Sequence, residues 1–111
     1  MMNRILLVFS IVCFLLPQRA LAHGSIEQSA IGTATGQHGL LCQMLASGLI
    51  TPTEAKQAVD MIVRINQQSF ASMNPKDVVL TKKAFNFAWD YIGEIAKDTH
   101  PSCPLGTSIL Q

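Results

Sequence analysis

The stretch "TPTE" at residues 51–54 predicts the start of a helix, and it constrains the fold more than any other feature of this sequence. Thr51 is a preferred N-cap residue, proline occupies the first helical position, and Glu54 stands three residues after the cap. In such a capping box each side chain accepts a hydrogen bond from the other residue's backbone N–H. An apolar stripe follows at helical spacing, so we predict a helix from about 52 to 69. The stripe consists of Ala55, Ala58, Val59, Ile62 and Ile65.

The stretch "NPKD" at residues 74–77 repeats these start signals, with Asn74 as the cap and an acid in the first turn. We predict that this helix ends near Asp98, because His100 precedes Pro101 and is biased away from the α region. Its expected buried stripe is Phe85, Ala88, Trp89, Ile92, Ile95 and Ala96. The side chains expected to face water are Lys82, Lys83, Asn86, Asp90, Glu94 and Lys97.

Residues 40–48, "LLCQMLASG", predict an earlier helix, with leucine and methionine on one face and Gly48 suited to end it. The preceding segment 23–39 is rich in Gly, Ser and Thr. Each glycine costs a helix about 1 kcal/mol relative to alanine, so this segment is expected to be a loose arm or a frayed helix start. Short connections place neighbouring helices antiparallel. The predicted fold is an all-α, three-helix up-down-up bundle over 40–103, followed by a flexible tail at 104–111.

Residues 1–22 have the pattern of a cleaved secretory signal peptide. Arg4 provides the short positive region, 5–16 form an apolar run, and "ALA" at 20–22 is a cleavage motif. The run is shorter than the ~20 residues that a membrane-spanning helix needs, although a retained signal anchor is the alternative. We therefore expect a periplasmic or secreted protein of 89 residues, 23–111, without a transmembrane segment.

The composition argues against several classes of function. Residues 23–111 contain six basic and seven acidic residues, without a run of like charges. Nucleic acids and anionic membranes both favour a clustered basic face, so neither is an expected partner. The sequence contains no nucleophile elbow and no phosphate-binding glycine loop. We expect neither enzymatic activity nor a cofactor.

Cys42 and Cys103 are the two cysteines that remain after signal cleavage, and they allow one intramolecular pairing. In an up-down-up bundle, the end of the first helix and the tail after the third lie at the same end of the molecule. Since exported compartments permit disulfides, we predict a Cys42–Cys103 bridge. In the chain-entropy model, a bridge across about sixty residues stabilises the fold by roughly 4 kcal/mol.

The histidines support a second hypothesis, a metal site. His38 and Cys42 stand at i and i+4, and His100 precedes Cys103 by three residues, so these four side chains form a possible tetrahedral zinc set. His23 would become the mature N-terminus, where its amine and imidazole could chelate copper together with His38 or His100. The "HG" start resembles the N-terminal histidine of exported copper proteins such as lytic polysaccharide monooxygenases. Those enzymes are larger β-sandwiches, so the resemblance implies neither their fold nor their activity.

The size, the export signal and the single bridge are similar to those of small helical periplasmic chaperones and immunity-type inhibitors. This similarity is one of architecture, and fold alone does not determine function. With no catalytic set in the sequence, we expect a non-catalytic helical module that binds another protein, with 23–39 as its candidate docking segment. The alternative is a periplasmic copper or zinc binder that uses His23, His38 and His100.

Overall fold

The computed structural model describes residues 25–99, 103 and 105–111. This part of the chain contains three helices, α1 (Ile26–Ala46), α2 (Pro52–Phe70) and α3 (Pro75–Thr99), and no strand. The predicted all-α class and the three-helix up-down-up bundle are confirmed. The predicted signal peptide, His23 and His100 lie outside the described residues. None of the three helices is both long and apolar enough to cross a bilayer.

The predicted caps at the starts of α2 and α3 are present. At α2, the N–H of Glu54 donates to Thr51 Oγ1 at 3.1 Å and the N–H of Thr51 donates to Glu54 Oε1 at 2.9 Å. At α3, the backbone N–H of Lys76 donates to Asn74 Oδ1 at 2.9 Å. These bonds satisfy backbone donors that have no partner within their own helix, which is why the two helices begin where the sequence predicts.

Helix α1 is longer than the apolar pattern at 40–48 indicates. It begins at Ile26 behind a complete capping box formed by Ser25 and Gln28. Residues 26–39 are therefore helical, whereas the composition favoured a loose arm or a frayed start. The buried side chains of this segment are Ala30, Ala34, Gln37 and His38. Close packing of α1 on α3 offsets the low helix propensity of the glycines, as tertiary packing commonly does.

The core lies mainly between α1 and α3. Trp89 is fully buried, and its ring stacks on that of Phe85 with the centroids 5.6 Å apart. The buried residues of α2 are Ala55, Ala58 and Ile62, all members of its predicted stripe. Ile95 differs from its expected burial, because 49% of it is exposed. A helix with 3.6 residues per turn places position 95 nearer to Tyr91 than to Trp89, on the edge of the core-facing surface.

Residues 105–111, which we call the closing segment, lie against α3 within the range predicted as a flexible tail, 104–111. Leu105 and Leu110 are buried in the core cluster. Asn86 Nδ2 donates to the carbonyl oxygen of Leu110 at 2.6 Å, and the N–H of Leu110 donates to Asn86 Oδ1 at 2.9 Å. One amide side chain therefore satisfies both backbone groups of a buried residue, a requirement for any buried backbone.

Asp90 and Trp89 hold the same closing segment at two further points. The N–H of Ser108 donates to Asp90 Oδ1 at 2.6 Å, and its hydroxyl donates to Asp90 Oδ2 at 2.8 Å. Trp89 Nε1–H donates to the carbonyl oxygen of Gly106 at 3.1 Å. Asn86 and Asp90, expected to face water, are thus half-buried side chains that fix the end of the described chain.

The Cys42–Cys103 disulfide is present, with an S–S distance of 2.02 Å. It joins the buried side of α1 to the segment that follows α3, across a sequence separation of 61 residues. The predicted pairing of Cys42 with Cys103 is therefore confirmed. The disulfide thus connects α1 to the segment after α3, and residues 106–110 are hydrogen-bonded to α3.

Reduction of this disulfide should lower the free energy of unfolding by about 4 kcal/mol, because the bridge restricts the unfolded chain. Urea unfolding of the purified protein with and without a reducing agent, followed by circular dichroism, measures the difference. A loss smaller than about 1 kcal/mol would contradict a large stabilising role for the bridge.

Candidate functional site

His38 is enclosed between α1 and α3, and only 1% of it is exposed. Its Nδ1 lies 3.4 Å from Sγ of Cys42. Because a disulfide sulfur carries no proton, Nδ1 is the donor in this contact. The imidazole ring meets the Trp89 ring edge-on, with centroids 4.8 Å apart. A methyl group added at Gly93 would lie 3.3 Å from His38 Nε2, so the glycine makes room for the ring.

Burial lowers the pKa of His38 below its ordinary value of 6.5, because desolvation disfavours the charged imidazolium. A backbone hydrogen bond and the negative charge of Asp90 act in the opposite direction with smaller effect. His38 is therefore a neutral ring at pH 7. Its role in this environment is to fill space and to donate one hydrogen bond inside the core.

Of the four residues of the zinc hypothesis, His38, Cys42 and Cys103 lie within the described ranges. His38 and Cys42 are neighbours, as their spacing predicts, but the sulfur of Cys42 is bonded to Cys103. A thiolate is the form of cysteine that binds zinc. Among the residues that the structure describes, no group of three His, Cys, Asp or Glu is arranged to hold a metal ion. The positions of His23 and His100 are outside the described ranges.

Two further polar features lie in the described interior, Gln37 and a small cavity. Gln37 is buried, and within the described ranges neither polar atom of its side chain has a hydrogen-bond partner. A cavity of about 70 Å³ lies where the three helices meet. Its polar lining residues are Ser29, Thr33, Asn66 and Thr81. That volume accommodates a few water molecules and is well below the size of a typical ligand pocket.

The outward side of α3 carries a row of large apolar side chains, which we call the outer stripe: Phe87, Tyr91 and Ile95. Phe87 is 68% exposed, Tyr91 is 59% exposed and Ile95 is 49% exposed. The two aromatic rings stack on each other, with centroids 6.3 Å apart and an angle of 10° between their planes. The outer stripe therefore presents an ordered apolar surface to the surroundings of the bundle.

Exposed charged residues flank the outer stripe along the helix. Lys83 precedes Phe87 by one turn, and Asp98 follows Ile95 by three residues. Beside the stripe, Lys97 and Glu94 form a salt bridge of 3.0 Å. Phe87 and Tyr91 were not predicted as functional residues, because the core stripe dominates the apolar pattern of α3. The four-residue spacing of 87, 91 and 95 is the signal that could have revealed a second apolar row on this helix.

No protein-family model matches this chain, and neither a curated protein sequence nor a solved structure is significantly similar to it. Its function is therefore inferred from the residues themselves.

The contact of Gly93 with His38 predicts opposite effects for two glycine-to-alanine substitutions within helices. Gly93→Ala should destabilise the protein by about 1–2 kcal/mol, because the enclosed imidazole cannot move away from the added methyl group. Gly32→Ala is the matched control, since a Cβ added at Gly32 meets no described atom within 4 Å apart from the neighbouring backbone of its own helix. It should stabilise the protein by up to about 1 kcal/mol through helix propensity. Equal stabilisation by both substitutions, measured by urea unfolding, would contradict a rigidly enclosed His38.

The lowered pKa of His38 predicts that the protein becomes less stable as the pH falls through 6.5. Below that pH the imidazole of His38 binds a proton in the unfolded chain more readily than in the folded chain. The free energy of unfolding therefore falls with a slope of up to about 1.4 kcal/mol per pH unit. His38→Gln should remove this contribution, whatever its effect on stability at pH 7.5. Urea unfolding of both proteins between pH 7.5 and pH 5 gives the comparison. Identical pH dependence of the two would mean that the folded state does not resist protonation of His38.

Proposed function

We propose that this protein is a non-catalytic, exported module that acts by binding another protein. The observation that carries the proposal is the outer stripe of α3, in which two stacked aromatic rings and Ile95 are exposed side by side. Large apolar side chains that are grouped on a surface mark interaction sites more often than single exposed ones do. Aromatic residues are also enriched in protein interfaces and among their energetic hot spots.

The residues that could act in catalysis are engaged in contacts within the chain, which supports binding rather than catalysis. Cys42 and Cys103 form the disulfide, His38 is enclosed, and Asp90 holds Ser108 through both carboxylate oxygens. A catalytic acid, base or nucleophile must reach a reacting atom. These side chains are instead engaged with the chain itself, while Phe87 and Tyr91 are free to meet a partner surface.

The docking segment proposed from the sequence, residues 23–39, contributes a second surface for a partner. Its described part is helical, and Gly32 and Gly36 are exposed. Apart from the neighbouring backbone of α1 itself, nothing in the described ranges lies within 4 Å of a Cβ added at either glycine. A partner backbone could approach this side of α1 closely, because glycine has no side chain to keep it at a distance. The aromatic surface of α3 nevertheless offers more contact area for binding energy.

The exported location in this proposal follows from the signal-peptide pattern at residues 1–22. The disulfide is compatible with an oxidising compartment such as the periplasm or the extracellular space.

The proposal predicts that substitutions in the outer stripe abolish capture of a partner without unfolding the protein. Immobilised wild-type protein and its Phe87→Ala/Tyr91→Ala variant would be incubated with periplasmic and culture fractions of the source organism, with retained proteins quantified by mass spectrometry. We expect the double variant to retain at least about tenfold less of a specific partner, as loss of an interface hot spot does.

The matched control for that experiment is Leu49→Ala, which removes an apolar side chain that is 51% exposed in the turn between α1 and α2. Leu49→Ala should capture the partner as well as the wild type does. Equal capture by all three proteins would contradict a role for the outer stripe, and circular dichroism of each variant controls for folding.

A further inference from the structure

We propose that the partner seated on the outer stripe is a second copy of this chain, paired through antiparallel α3 helices. This inference rests on the proposed function, since it names the partner of the same surface. The outer stripe is self-complementary when a copy is turned end to end, because its aromatic centre lies between a basic residue, Lys83, and an acidic residue, Asp98. Symmetric dimers require a surface that complements itself in this way.

The pairing follows from the spacing of residues along one helix face. A two-fold axis near Tyr91 places Phe87 of each copy beside Ile95 of the other, and the two Tyr91 side chains against each other. The same axis places Lys83 of each copy beside Asp98 of the other. Both of these charged side chains are exposed. A parallel pairing would instead set like charges side by side, which disfavours association.

The length of the contact fits a weak to moderate dimer. The helix from Lys83 to Asp98 is about 22 Å long, at 1.5 Å of rise per residue. A single pair of helices over this length buries an area at the low end of specific interfaces, which cover about 1,200–2,000 Å² in total. The dissociation constant is therefore expected in the micromolar range of roughly 1–100 µM.

Sedimentation equilibrium of the purified protein tests this proposal. The protein concentration would range from about 1 µM to about 1 mM, which brackets the expected dissociation constant. The wild type should change from monomer to dimer over this interval. Lys83→Glu should weaken dimerisation by about tenfold, because it sets two carboxylates against each other at both ends of the contact. The double charge exchange Lys83→Glu/Asp98→Lys should restore the wild-type constant to within about threefold.

Two controls separate this pairing from other modes of self-association. Lys56→Glu changes the charge of an exposed residue of α2 by the same amount as Lys83→Glu, and it should leave the dimer unaffected. Phe87→Ala/Tyr91→Ala should leave the protein monomeric throughout the range. A dimer that persists in this variant, or one that the charge exchange fails to restore, would overturn the antiparallel α3 pairing.

The outcome also distinguishes this inference from the proposed function. The wild-type protein could stay monomeric at about 1 mM, well above the expected dissociation constant of at most about 100 µM, and still capture a different host protein through Phe87 and Tyr91. That result would overturn the self-pairing alone. If outer-stripe substitutions affect neither sedimentation nor capture, both the self-pairing and the proposed docking surface are overturned.

Discussion

The contact of His38 with Trp89 is the interaction on which the arrangement of the other elements depends. The imidazole is placed between α1 and α3, where Gly93 makes room for it, and it donates to the sulfur of Cys42. A ring of this size in a close-packed interior permits little relative movement of the two helices. The same two helices hold the disulfide and the closing segment, so α1, α3 and residues 105–111 form the most constrained part of the described chain.

Most of the residues that could act as catalytic groups or metal ligands stabilise the fold instead. The cysteines are joined, the buried histidine is neutral, and Asp90 and Asn86 satisfy the backbone of the closing segment. The outer stripe has no such structural role, because its exposed rings contribute little to the core. A small rigid bundle with one ordered apolar face is suited to presenting that face to another protein, because a preorganised surface loses little entropy on binding.

The sequence predicts those features that depend on local signals or on topology. Thr51 and Asn74 begin their helices through caps formed by nearby residues, and the bridge follows from the order and direction of three helices. The full length of α1 was not predictable from propensity, since burial of Ala30 and Ala34 against distant residues outweighs the glycines. The anchoring of the closing segment depends on bonds between residues 18 and 24 positions apart, which no local pattern indicates. The outer stripe was not predicted, because Ile95 was assigned to the core stripe, and its exposure beside Phe87 and Tyr91 is seen only in the structure.

If the outer stripe serves recognition, Phe87 and Tyr91 should be dispensable for the fold. The most direct test is the free energy of unfolding of the Phe87→Ala/Tyr91→Ala variant, measured by urea at a concentration where the wild-type protein is monomeric. We expect a value within about 0.5 kcal/mol of the wild type, as for substitutions on an exposed surface. A loss of more than about 2 kcal/mol, the size expected for removal of buried aromatic packing, would contradict this expectation. It would show that the two rings stabilise the fold.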